Sequence, residues 1–131
     1  MNIKVEVSAG ELLDKITILE IKSERIHDAG KLVNINKELM ILRSTWDDMS
    51  LSDDGLEKLY SDLKAINEKL WDIEDNIRTK ESKAAFDDEF IELARSVYIV
   101  NDKRSHIKKE INCLLGSDLT EEKSYADYSR V

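Results

Sequence analysis

Apolar residues recur along this chain at intervals of three and four, the spacing of helices that bury one face. The most regular run is Leu56, Leu59, Leu63, Ile66, Leu70, Ile73 and Ile77, which predicts a helix roughly 33–36 Å long. A second run passes through Phe86, Phe90, Leu93, Val97, Val100, Ile107, Ile111 and Leu114. Phe86 and Asp87 read as its hydrophobic staple and N-cap, with Ile91 as the staple's partner, and Gly116 stops it after Leu115. Arg104 interrupts this stripe where an apolar residue is expected. A cation there needs a buried acid, a water-lined cavity or an anionic ligand, because desolvating an unpaired charge is costly.

The first half of the chain carries two shorter helices. Ser8-Ala9-Gly10-Glu11 is a capping box, opening a helix that should run to about Asp28 and stop near Gly30, with Leu12, Ile16, Leu19, Ser23 and Ile26 as its seam. A second helix should begin near Asn34 and carry Ile35, Leu39, Leu42, Trp46 and Met49. The SLSDDG stretch is a turn, in which Ser52 can cap the next helix while Asp53 and Asp54 favour its positive end. Ahead of everything, Ile3-Lys4-Val5-Glu6-Val7 alternates like a strand. One strand is not stable alone, so it either lies on the bundle as an extended arm or pairs with the same segment of another subunit. In the tail, Thr120 can cap a short turn holding Glu121 and Glu122; beyond Tyr125, docking and fraying are both open.

These elements predict one all-α domain over residues 1–131: an antiparallel helical bundle built on a long heptad-patterned hairpin, with an extended arm at 1–8 and a tail from 117. Heptad spacing also suits coiled-coil self-association, so a homodimer is expected, with a monomeric four-helix bundle as the alternative.

Composition sharpens this picture. Charged residues make up 37% of the 131 residues and hydrophobic ones 41%, with no proline and four glycines, which suits long, well-solvated helices. A net charge of −8 makes nucleic acid a poor partner. The single cysteine, Cys113, fits a reducing cytosol and is expected to be partly buried. With no signal core and no long apolar run, membrane insertion is not expected and a cytoplasmic location is.

No glycine-rich phosphate loop, HExxH, paired CxxC or nucleophile elbow is present, so no cofactor or metal is expected and catalysis has no strong signature. His27 and His106 read as surface or capping residues. Three polar stripes are the candidates instead: Glu11, Lys15, Lys22 and Arg25; Asn67, Trp71, Glu74 and Arg78; and Arg95, Tyr98, Asp102 and Ser105. The alternative for each is a solvated face laced with weak ion pairs. If a ligand binds, Arg104 with Arg78, Arg25 or Lys22 would hold a carboxylate or phosphate, with Arg95 near it. Trp71 or Tyr98 would stack, and Glu74 or Asp102 would act on protons. Alternatively Glu74 or Glu11 neutralises Arg104 as a structural pair. The carboxylate pairs Glu11/Asp14, Asp72/Asp75 and Glu89/Glu92 could in principle carry magnesium, as in all-helical nucleotide pyrophosphatases, but their order does not match that family's ExxE-then-ExxD arrangement.

At GELLDKITILEIKSERI (10–26), LWDIEDNIR (70–78), FIELARSVYIVNDKRSHIKKEIN (90–112) and GSDLTEEKSY (116–125), the chain resembles a family of small uncharacterised bacterial and phage proteins, a domain of unknown function. The resemblance covers nearly the whole chain. It implies an intracellular helical protein, in some genomes near or fused to glycosyltransferase-type and surface-polysaccharide functions, and it supplies no catalytic residue. Two functions follow. One is a non-enzymatic binding or assembly module, dimeric, with a glycan-assembly enzyme as client. The other is a small enzyme or binder of an anionic metabolite such as a sugar phosphate, nucleotide-sugar or carboxylate.

Overall fold

The computed structural model describes residues 1–51 and 53–130, which form four helices and no strand. Helix α1 spans Ala9–Arg25, α2 Ala29–Asp48, α3 Asp54–Ser82 and α4 Asp88–Leu115. The chain is thus an all-α helical bundle, as its periodicity predicts. Helices α3 and α4 form the long hairpin; α1 packs against α2, α3 and α4, while α2 packs along α1.

That arrangement makes α1 the hub, and its burial shows it. The Leu12, Ile16 and Leu19 face meets Ile35 and Leu39 of α2, with Ile26, Leu42 and Trp46 packed at the margins. On the other side Leu13 joins Leu56, Leu63 and Ile111 in a second cluster between α1, α3 and α4. Asp14, Thr17 and Glu20 are also buried, so α1 has almost no solvent face in its first three turns.

Several helix ends differ from expectation. Helix α1 stops at Arg25, and Asp28 caps α2 by accepting from the Lys31 N–H at 2.8 Å. Gly30 therefore lies in the first turn of α2 rather than ending α1, and α2 starts five residues before Asn34. Asp53 caps α3 through the Gly55 N–H; the expected cap Ser52 lies outside the described residues. At 29 residues, α3 is roughly 44 Å long, running past Ile77 to Ser82. Asp87 caps α4 and Gly116 ends it with φ 63°, a left-handed conformation that glycine adopts without strain. Phe86 packs edge-to-face on Phe90 at 5.2 Å, leaving the expected staple partner Ile91 exposed.

The seams also have exposed ends: Met49, Leu114 and Cys113 all face outward. Cys113, which the sequence reads as partly buried, is exposed on α4. Residues 1–8 take no regular structure, and Ile3 and Val5 stand exposed rather than lying on the bundle. The tail forms no helical turn at Thr120; it runs as coil back along α4, where Tyr128 meets Tyr98 at 5.1 Å. Among the described residues no helix is long and apolar enough to cross a membrane.

Candidate functional site

Where α1 crosses α4, two polar rows meet. Arg104, Lys108 and Asn112 fall four residues apart on α4, and Gly10, Asp14 and Thr17 fall four and three apart on α1. Gly10 permits the crossing: a Cβ there would lie 2.6 Å from the Lys108 carbonyl oxygen and 2.9 Å from Asn112 Oδ1. Its N–H donates to Asn112 Oδ1 at 2.7 Å. Helices this close bury whatever lies between them, and Asp14, whose side chain is 2% exposed, lies between them.

Asp14 is the counter-charge that Arg104 requires. Nε of Arg104 donates to Oδ1 at 3.0 Å and Nη2 donates to Oδ2, a two-point guanidinium–carboxylate pair. Asn67 Nδ2 on α3 adds a bond to Oδ1 at 2.9 Å and another to Thr17 Oγ1 at 2.9 Å. Lys108, also buried, lies 3.8 Å from Asp14 Oδ2 and donates to Glu11 at 2.8 Å and to Glu121 of the tail at 3.1 Å. The partners foreseen for Arg104, Glu74 and Glu11, are therefore replaced by Asp14. Glu11, whose N–H is held by Ser8 at 3.2 Å, turns its carboxylate to Lys108.

The electrostatics follow from this packing. Burial pushes the Asp14 carboxyl up, but the bonds from Arg104 and Asn67 and the two cations outweigh it and hold it below the ordinary 3.8. Burial likewise works against the Lys108 charge, and the Glu11 and Glu121 carboxylates overcome it, raising Lys108 above its ordinary 10.5. Lys108 in turn holds Glu121 below the ordinary glutamate value. Among the described residues every buried side-chain nitrogen and oxygen has a hydrogen-bond partner. Both carboxylates of the Glu11/Asp14 pair are engaged by cations of the protein itself.

On the outer side of this centre lies an open groove of about 370 Å³ between α1, α3 and α4. Four sequence candidates line it together: Trp71, Glu74, Arg78 and Arg104, with Asn67 and Asn101. Arg104 keeps 28% of its side chain exposed here, and Glu74 and Arg78 pair with each other at 3.3 Å. The other candidates are elsewhere. Arg25 is bound to Asp72 at 2.5 Å, Lys22 is not among the groove's lining residues, and Arg95 pairs with Glu92 at 2.9 Å on the exposed face of α4. Tyr98 and Asp102 belong to a separate groove under the tail, where the Tyr128 hydroxyl donates to Asp102. His106 is exposed and lies 2.8 Å from Glu110, and His27 is exposed, as expected of both.

A second polar network ties the remaining helices together. Glu20 of α1 accepts from Arg43 of α2 at 2.7 Å and from the Tyr60 hydroxyl of α3. Burial, then Glu20, raises the Tyr60 phenol well above its ordinary 10.0. Lys108, Asn112 and Glu20 carry no signal in the candidate stripes or carboxylate pairs, while Asn67 and Asp14 stand there without their link to Arg104. The four-residue recurrence of Arg104, Lys108 and Asn112 was the available signal, since it marks a second inward row beside the apolar one.

The chain belongs to a family of unknown function, DUF6165, whose model matches residues 3–129. No curated protein and no solved structure shows a detectable match to it.

Proposed function

Starting from membership of a family with no assigned activity, we propose that the chain is a non-enzymatic helical binding and assembly module that presents its outer faces to a protein partner. The observation that carries this reading is the Arg104–Asp14 pair. The cation that interrupts the α4 stripe is neutralised inside the fold, and Lys108 beside it is taken up by Glu11 and Glu121. A centre closed in this way sets the angle between α1 and α4 and asks for no ligand.

The surface supports the same reading. Helix α2 packs along α1, with Trp46 also reaching the second cluster, yet it carries Val33, Met40 and Ile41 on its outward side, with Val33 and Met40 67% and 72% exposed. Together with exposed Ile3 and Val5 of the N-terminal segment, this is apolar surface that a second copy or a client would cover. The proposed state is a cytoplasmic homodimer in a bacterial or phage-infected cell. Its proposed client class is an enzyme of glycan or surface-polysaccharide synthesis, on the strength of the family resemblance.

One observation favours a second reading, a binder or small enzyme for an anionic metabolite: Trp71, Glu74, Arg78 and Arg104 line one groove. There Arg78 and the free edge of Arg104 would hold the anion, Trp71 would stack and Glu74 would exchange protons. A thermal-shift screen of nucleotides, sugar nucleotides and divalent metals, on wild type and Arg104→Leu, separates the two. The assembly reading expects no ligand-dependent shift and a less stable variant. A shift present in wild type and lost in the variant overturns it in favour of the second.

A further inference from the structure

Three of the chain's four tyrosines converge on one groove that neither reading above employs. Tyr98 projects from α4, and Tyr125 and Tyr128 come from the coil that runs back along it; between them lies a groove of about 970 Å³. That is at the upper end of the roughly 300–1,000 Å³ range of small-molecule sites. One wall is held in place. Tyr128 packs on Tyr98 with ring centroids 5.1 Å apart and planes at 66°, and its hydroxyl donates to Asp102. Asp127 fixes the coil beyond it by accepting from the Ser129 N–H at 2.9 Å and hydroxyl at 2.8 Å. The third ring, Tyr125, also lines the groove and is 79% exposed.

The polar groups in this groove narrow the ligand. Asp102 and Asp127 supply acceptors and Lys123 supplies donors; the Asn101 amide adds its N–H donors, its oxygen already accepting from Arg104 Nη1 at 3.4 Å. A phosphate or carboxylate would face two carboxylates in a chain of net charge −8, which repels it. An alkylammonium ion would suit the phenol rings and the two carboxylates, but it has no acceptor and would leave the Lys123 and Asn101 donors unmatched. A flat apolar molecule would strip water from Asn101, Asp102 and Lys123 without replacing its hydrogen bonds. A ring with an apolar C–H face and hydroxyls that both donate and accept satisfies every one of these groups. We propose that the groove between α4 and the tail binds a neutral saccharide, stacked on Tyr125 and hydrogen-bonded by Asn101, Asp102 and Lys123.

The site meets the Arg104 groove at one residue, Asn101, whose Oδ1 accepts from Arg104 Nη1 at 3.4 Å, while its three tyrosines lie outside that groove. Its test is a ligand titration and does not depend on the assembly reading. The ¹⁵N-labelled full chain is titrated with maltose, cellobiose and N,N′-diacetylchitobiose, with tetramethylammonium and inorganic phosphate as charged counter-probes. The expected result is saturable shifts of the Tyr98, Asn101, Asp102, Tyr125 and Tyr128 amides with at least one disaccharide and with neither ion. Tyr125→Ala, at so exposed a position, keeps the wild-type Tm and weakens that binding at least about fivefold, while Tyr125→Phe retains it. The proposal is overturned if no disaccharide moves these amides, if binding survives Tyr125→Ala, or if either ion saturates the groove instead.

Discussion

Asp14 is completely enclosed and carries its charge only because Arg104, Asn67 and Lys108 surround it. Removing Arg104 leaves a buried carboxylate short of its main partner. Breaking such a pair from one side typically costs about 3–5 kcal/mol. The exposed edge of Arg104 and the nearby Lys108 reduce this, so Arg104→Leu is expected to lose about 2–4 kcal/mol in urea unfolding. Adding Asp14→Leu should restore a good part of that loss, because the orphaned charge goes with it; a double variant no better than the single one would refute this. The pH dependence has a definite sign. Asp14 titrates below 3.8 in the fold and Glu121 below 4.5, so their contribution is complete above those values and is lost as pH falls through the folded ones. Lys108 titrates above 10.5; its contribution is complete below that and is lost as pH rises through the folded value. Urea midpoints should therefore be flat between roughly pH 5 and 10 and fall on both sides, with a shallower acid limb in Arg104→Leu. Arg104 was visible in the sequence because it breaks an apolar stripe. Asp14 was visible only as half of a carboxylate pair with Glu11, since nothing in that spacing marks it as the acid that faces Arg104.

What holds for single residues changes the reading of whole helices. The α3 seam was legible along its length because that helix has one buried side and one wet side. The hub α1 was only half legible: Leu12, Ile16 and Leu19 stood out, whereas Leu13, Asp14, Thr17 and Ile21 form a second buried face that no polar contrast reveals. At the α1–α2 junction glycine suggested a stop, yet Asp28 provides the stronger signal by capping the second helix. Asp28→Ala should cost about 1 kcal/mol and lower hydrogen-exchange protection of the Lys31 amide; unchanged protection would speak against the cap. In the tail, Thr120 and Glu121 had the chemistry of a helix start but no apolar face behind them, and Lys108 draws Glu121 away. Where α1 meets α4, Gly10→Ala must push the Lys108 backbone aside. A loss of about 1–3 kcal/mol is expected, with a larger drop in Tm than Gly30→Ala, whose added Cβ meets only the tip of Asp28 at 3.4 Å.

For the molecule as a whole, the all-α class and the long hairpin were readable because two amphipathic runs joined by a short link have few other ways to bury their stripes. How the first pair of helices sits on that hairpin was not, because the Leu13 cluster and the Asp14–Arg104 crossing that seat α1 on it leave no polar contrast in the sequence. The exposed apolar side of α2 and residues 3–7 bear on assembly. Light scattering after gel filtration should give twice the monomer mass of 15.1 kDa, and charged substitutions at Val33 and Met40 should return the protein to one copy without lowering its helicity. A monomeric wild type would remove the dimer from the proposed function.

The α1–α4 crossing also dictates a timetable for synthesis. The bonds that complete α1 span 90 residues from Asp14 to Arg104 and 102 from Gly10 to Asn112. Until translation delivers that distant segment, the earliest helix to leave the ribosome holds an uncompensated acid in its middle. The α3–α4 hairpin can zip locally, but the hub has to wait for it. Ribosome-bound chains halted before Arg104 should consequently remain protease-sensitive in α1, and chains released past Asn112 should become resistant together, in one step.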